Sequence, residues 1–92
     1  MQWRDVGGYA SLAEILGTDS AGNAVSGLSV TIDSANNIVV NSQPGSVIGL
    51  LGVSGLVVVR TAQATLVARA EDAERIKELV AAVTEQAGPQ FA

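Results

Sequence analysis

The sequence predicts a mainly β domain with flanking helices, closed by a C-terminal α-helix, and three observations carry that prediction. Val, Ile and Thr concentrate between Val25 and Val67, where stiff branched side chains suit a pleated surface better than a helix. Within that stretch short apolar runs recur about every nine or ten residues, separated by turn residues. After Arg69 the spacing changes: Ile76, Leu79, Val80 and Val83 fall on one face of a helix.

At 92 residues the chain forms one domain at most, and a chain of this size buries a modest share of its unfolded surface. The sequence is 48% hydrophobic but only 3% aromatic, so the core is assembled from Val, Leu, Ile and Ala.

The elements follow in order. Leu12, Ile15 and Leu16 predict a short helix over Tyr9–Leu16, stopped by Gly17. Residues 18–27, with Asp19-Ser20-Ala21-Gly22-Asn23 at their centre, read as a polar loop. Strands are expected over Leu28–Ile32, Ile38–Asn41, Val47–Leu51, Leu56–Thr61 and Thr65–Arg69. The unbroken apolar run Leu56-Val57-Val58-Val59 requires cover on both faces. The final helix, Glu71 to about Gln86, supplies it; Glu71 and Asp72 complement its dipole, Glu74 and Lys77 form an i,i+3 pair, and Gly88-Pro89 ends it. The tail Gln90-Phe91-Ala92 is expected to be loose. A sandwich, a roll and a short parallel β-solenoid all fit this order of elements.

Composition excludes several function classes. Nine acidic residues against five basic ones give a net charge of −4, and Arg4, Arg60, Arg69, Arg75 and Lys77 form no run, which removes the electrostatic basis for binding nucleic acid. With no Cys and no His, disulfides, thiol nucleophiles and imidazole acid–base chemistry are absent. No apolar stretch reaches the roughly 18 residues of a membrane span, so no membrane partner is expected and the cytoplasm is the expected compartment.

One segment suggests chemistry. In Trp3-Arg4-Asp5-Val6-Gly7-Gly8, Asp5 offers a hard oxygen ligand, and Gly7 and Gly8 would let the backbone approach a sugar or phosphate closely. One carboxylate is half of a magnesium site at best. Asp19 and Asp33 lie in turn-like stretches, where an Asx-turn explains them more simply. The glycines between Gly45 and Gly55 lack the Lys-Ser/Thr ending of a phosphate-binding loop and read as turn punctuation.

These segments together resemble the C-terminal part of bacterial mannose-1-phosphate guanylyltransferases (GDP-mannose pyrophosphorylases). Trp3-Arg4-Asp5-Val6-Gly7-Gly8-Tyr9 is similar to the family's W-x-D-V-G-x-aromatic stretch. Asp19-Ser20-Ala21-Gly22-Asn23-Ala24-Val25 is similar to its D-x-x-G-N-V-V loop, and Asp33-Ser34-Ala35-Asn36-Asn37-Ile38-Val39-Val40-Asn41-Ser42 to the coil that follows. Val53-Ser54-Gly55-Leu56-Val57-Val58-Val59-Arg60-Thr61, Ala64-Thr65-Leu66-Val67-Ala68 and Ile76-Lys77-Glu78-Leu79-Val80 continue the series. Departures from the family pattern are Gln63 for its Asp, Ala62 for its Pro and Gly55 for its acidic residue before the Leu-Val strand.

The resemblance implies a parent enzyme in which a Rossmann-like nucleotidyltransferase domain precedes a short left-handed parallel β-helix. The parent converts GTP and mannose 1-phosphate to GDP-mannose and pyrophosphate. It also implies a division of this chain: residues 1–17 as the end of the nucleotidyltransferase domain with its linking helix, 18–27 as a loop, 28–70 as the β-helix, 71–87 as the capping helix and 88–92 as a tail. Asp5 would help hold Mg2+ in the parent, with Gly7 and Gly8 beside the substrate, while the nucleotide-binding loop lies in the missing domain. The fragment alone is expected to be inactive, to need no cofactor and to form a homo-oligomer, a dimer. A free-standing β-rich interaction module without catalytic parentage is the alternative.

Overall fold

The computed structural model describes residues 16–91. The chain winds as a coil between two sheets. Strands β1 (Ala24–Ser26), β3 (Ile38–Asn41) and β5 (Leu56–Arg60) lie parallel in the larger sheet, and β6 (Thr65–Arg69) adds to β5 antiparallel. Strands β2 (Ser29–Ile32) and β4 (Ile48–Leu51) form a parallel two-stranded sheet. A bridge between Ala35 and Ser54 marks a third side of the coil.

Pairing fixes the length of each coil. Ala24 lies beside Ile38, 14 positions on, whereas Ile38 lies beside Val57 and Ser29 beside Ile48, each 19 positions on. Aligning Gly27 with Asn41 and Leu28 with Val47 puts the five additional residues, Ser42–Ser46, in the corner between β3 and β4. The corners share a backbone requirement rather than a residue type. Gly22, Asn36 and Gly55 occupy equivalent coil positions with φ of 83°, 58° and 67°, a left-handed region that Gly enters freely and Asn tolerates.

Two hydrophobic layers result, because successive strand residues face opposite ways. Val39, Ile48 and Val58, with Val25, Leu50 and Leu56, fill the inside of the coil. On the other face of the larger sheet, Ile38, Val40, Val57, Val59 and Leu66 pack under Ile76, Val80 and Val83. The run Val57-Val58-Val59 is thus buried on both faces, as its unbroken apolar character requires. Ile76 is 2% exposed and anchors the helical layer; burial of a side chain this size contributes about 1.5–3 kcal/mol.

Several expectations are corrected. Residues 18–27 are not all loop: Ala24–Ser26 is a strand, ordered by pairing with β3. The C-terminal helix begins as a 3-10 segment, Ala70–Arg75, and becomes α-helical (α1) only over Ile76–Gln86. The Ala70 N–H donates to the Gly55 carbonyl at 2.7 Å, so the segment starts while still tied to the sheet. Lys77 is not paired with Glu74; the ion pairs among the described residues are Arg75–Glu78 at 2.8 Å and Arg69–Glu71 at 3.4 Å, all exposed and of little energetic weight. The segment after Gly88 forms a 3-10 turn, Pro89–Phe91, rather than a loose tail. The helix expected over Tyr9–Leu16 falls, except for Leu16, outside the described residues. No helix among the described residues is long and apolar enough to cross a membrane.

Candidate functional site

Three asparagines hold the coil corners. Asn23 and Asn37 occupy equivalent positions on successive coils, and both side chains are buried. The Asn23 Nδ2 donates to the Ser34 carbonyl at 2.9 Å and to Asp19 Oδ2 at 3.3 Å, while its Oδ1 accepts from Asn37 N and Asn37 Nδ2, both at 3.0 Å. Asn37 Nδ2 also donates to the Val53 carbonyl at 3.2 Å, and Asn37 Oδ1 accepts the Leu56 N–H at 2.9 Å. The ladder therefore runs through all the stacked coils and satisfies backbone groups that the corner leaves unpaired. Asn41 does the same in the long corner: its Nδ2 donates to the carbonyls of Leu28 and Ser46, each at 3.0 Å, and its Oδ1 accepts from Gln43 N at 3.1 Å and Ser46 Oγ at 3.2 Å.

Asp19 belongs to this scaffold. Its Oδ1 accepts the N–H groups of Ala21 and Asn23, each at 2.9 Å. The Asn23 N–H is the largest influence holding the carboxyl below its ordinary value. Asp33 takes φ of 50° at the turn after β2. The carboxylate of Asp19 is committed to its own turn, as an Asx-turn reading predicts. Among the described residues no group of three or more Asp, Glu, His or Cys gathers as metal ligands. Asp5, Gly7 and Gly8 lie outside the described residues.

Among the described residues the two ends of the coil carry different surface features, a largely polar hollow at one and an apolar groove at the other. At the first end of the coil, a hollow of about 420 Å3 is lined by Leu16, Thr18, Asp19, Val25, Ser29 and Thr31. At the other end the sheets stop out of step, since the larger sheet continues into β6 while the smaller one stops at β4. Between them lies a groove of about 350 Å3, with Leu50, Leu51, Val58, Thr65 and Val67 among its walls. Leu51 is 72% exposed and Val67 54% exposed. On the outward face of the smaller sheet, Val30 and Ile32 are uncovered as well. Apolar surface in contiguous patches is characteristic of interaction sites. Sequence reasoning expected self-association but did not locate these surfaces, because they follow from where each sheet ends.

Comparison with known proteins agrees with this architecture. The profile of the MannoseP isomerase/GMP-like beta-helix domain matches residues 27–83. The alginate biosynthesis protein AlgA of Pseudomonas syringae pv. tomato is 32% identical over 84 residues, covering 91% of this chain and 17% of that protein. The mannose-1-phosphate guanylyltransferase of Salmonella montevideo is 38% identical over 78 residues, covering 85% of this chain and 16% of that protein. A solved structure from Thermus thermophilus, described as a mannose-1-phosphate geranyltransferase, superposes with a TM-score of 0.71 at 31% identity, over 86% of this chain and 24% of that one. The chain thus spans about a sixth of the curated relatives it matches, and the matched portion is their C-terminal part. On the profile match over residues 27–83 and the agreement of the coiled sheets, the chain belongs to the MannoseP isomerase/GMP-like β-helix domain family, as the C-terminal portion of mannose-1-phosphate guanylyltransferase homologues.

Proposed function

We propose that this chain is the scaffold and oligomerisation domain of a cytoplasmic mannose-1-phosphate guanylyltransferase, with a left-handed coil, and that it forms a dimer. The parent reaction joins GTP and mannose 1-phosphate into GDP-mannose and releases pyrophosphate. The observation that carries this reading is that nearly the whole chain is used in matches to a C-terminal sixth of the relatives. In the whole enzyme Asp5 would supply one oxygen ligand for a Mg2+ ion, whose chemistry would be to offset charge on the transferring phosphate, and Gly7 and Gly8 would let the backbone approach the substrate. Its partner ligand and the nucleotide loop belong to the nucleotidyltransferase domain. Asp19 is unsuited to be that partner, since its carboxylate already accepts N–H groups from its own turn.

The test uses the 92-residue chain as it stands. Incubated with GTP, mannose 1-phosphate and Mg2+, it yields no GDP-mannose above the protein-free blank. In sedimentation equilibrium it forms dimers at high concentration. Turnover by the isolated chain overturns the assignment of catalysis to the nucleotidyltransferase domain, and a monomer at every concentration overturns the oligomerisation role.

A further inference from the structure

Strand β6 closes the larger sheet, and among the described residues no strand pairs with its outer edge. The hydrogen bonds flanking its pairing with β5 identify which backbone groups that edge presents. Thr61 N donates to Ala64 O at 2.9 Å and Ala70 N to Gly55 O at 2.7 Å. In an antiparallel ladder the direction alternates residue by residue, so Ala64, Leu66, Ala68 and Ala70 face β5. Thr65, Val67 and Arg69 therefore turn their N–H and C=O groups outward, and all three are exposed.

We propose that the dimer forms by antiparallel pairing of β6 with β6 of a second copy, about a two-fold axis through Val67; this rests on the oligomerisation reading above. The register is self-complementary. Val67 meets Val67 of the other copy in a hydrogen-bonded pair, and Thr65 of each copy meets Arg69 of the other, giving about six new backbone hydrogen bonds. No like charges stand opposite each other, and the edge carries no Lys, Pro or bulge of the kind that blocks edge pairing.

Both flanks of the edge are shaped for the same occupant. On the coil side is the groove containing Val58 and Val67. On the helix side is a second hollow, of about 310 Å3, between Ala68 of β6 and Leu79 of α1. Its rim carries Asp72, Arg75 and Glu78, a mixed-sign set that a two-fold axis can set against itself with opposite charges facing. The β4 edge is a poorer candidate. An antiparallel two-fold there places both larger sheets on the same side of the smaller one, and β5 and β6 of each copy project past β4 into the other.

The test exploits the absence of cysteine. In a hydrogen-bonded antiparallel pair the Cα atoms lie about 5.5 Å apart, within the range a disulfide spans. Val67→Cys is expected to give a covalent dimer under mild oxidation, whereas Val30→Cys, at a site equally exposed at 54%, stays largely uncross-linked. Val67→Pro removes an outward N–H without removing a bond to β5 and is expected to raise the dimer dissociation constant about a hundredfold, with the far-UV circular dichroism of the parent chain. Should that variant unfold, the cysteine pair decides. Cross-linking at Val30→Cys as efficient as at Val67→Cys, or a wild-type dimer that survives folded Val67→Pro unchanged, refutes the β6 edge and leaves dimerisation standing. A wild-type chain that never dimerises refutes both.

Discussion

Asn37→Ala tests whether the asparagine ladder stabilises the coil. The Asn37 side chain is fully buried, and truncation removes its bonds to Asn23 Oδ1, to the Val53 carbonyl and to the Leu56 N–H. Asn23 Oδ1 keeps the Asn37 N–H, so it is only partly deprived. The Leu56 N–H is left without the acceptor it had, whereas the Val53 carbonyl loses the Asn37 amide but keeps the Ala35 N–H at 3.1 Å. A buried orphan of this kind costs about 1–3 kcal/mol, so the substitution costs about 2 kcal/mol. Total stability for a chain of this length is about 5–14 kcal/mol, and the loss lowers the melting temperature by about 8–16 °C. Urea unfolding followed by far-UV circular dichroism measures it, with Asn36→Gly as the control. Asn36 is the exposed neighbour with φ of 58°, where Gly relieves strain, so that variant stays within about 1 kcal/mol of wild type. A loss below about 1 kcal/mol for Asn37→Ala, or an equal loss for both variants, refutes the claim that the ladder's hydrogen bonds stabilise the corner.

Two further outcomes follow from the corners. Asp19 has a folded pKa below its ordinary value, so its contribution is fully present above the unfolded pKa of about 3.9 and is lost as pH falls through the folded value; the stability gap between wild type and Asp19→Asn in urea titrations should be constant above about pH 5 and narrow below pH 4, and a gap independent of pH refutes the Asx-turn role. Gly27 has φ of 87°, and a Cβ there runs into the Asn41 carbonyl oxygen, whereas Gly52 has φ of 64° with open space around it; Gly27→Ala should cost more than about 2 kcal/mol and Gly52→Ala about 1 kcal/mol in thermal melts, and equal costs refute the close-approach argument.

Strands with the strongest local chemistry were legible in the sequence. Ile38–Asn41 and Thr65–Arg69 have the expected bounds, and the double burial of Val57-Val58-Val59 follows from a run with no polar position. Strand β1 was not legible, because Ala24-Val25-Ser26 follows a polar turn and is too short for pattern to outweigh composition; β3 beside it decides its conformation. The coil repeat was hidden by Ser42–Ser46, which lengthen one turn, and by corners that share only tolerance of positive φ. The available signal was the spacing of Gly22, Asn36 and Gly55 against that of Asn23, Asn37 and Leu56. A single Asn in a turn-rich stretch reads as a turn former, and only the stacked pairing makes Asn23 and Asn37 interior residues. The 3-10 start of the last helix was equally hidden, since Ala70-Glu71-Asp72-Ala73 are compatible with an α-helix and the tether from Ala70 to Gly55 is a tertiary fact.

The ends of the coil explain why the proposed interaction surface and the asparagine ladder lie in different places. A solenoid buries each turn against its neighbours, so its terminal turns need separate cover. At the first end the Asp19 turn and its bonds to Asn23 provide polar closure. At the second end the reversal of β6 stops the winding, because an antiparallel strand cannot lead into a further parallel coil. That reversal adds a strand to one sheet and none to the other, so among the described residues the coil-facing side of β6 presents Val67 with no opposing strand from the smaller sheet. Helix α1 then covers the opposite side of the larger sheet, through Ile76, Val80 and Val83. The device that ends the coil thus leaves a strand edge that is unpaired among the described residues and flanked by hollows on both faces. A second copy reproduces the strand, the hollows and the mixed-charge rim together, which a single added peptide strand does not.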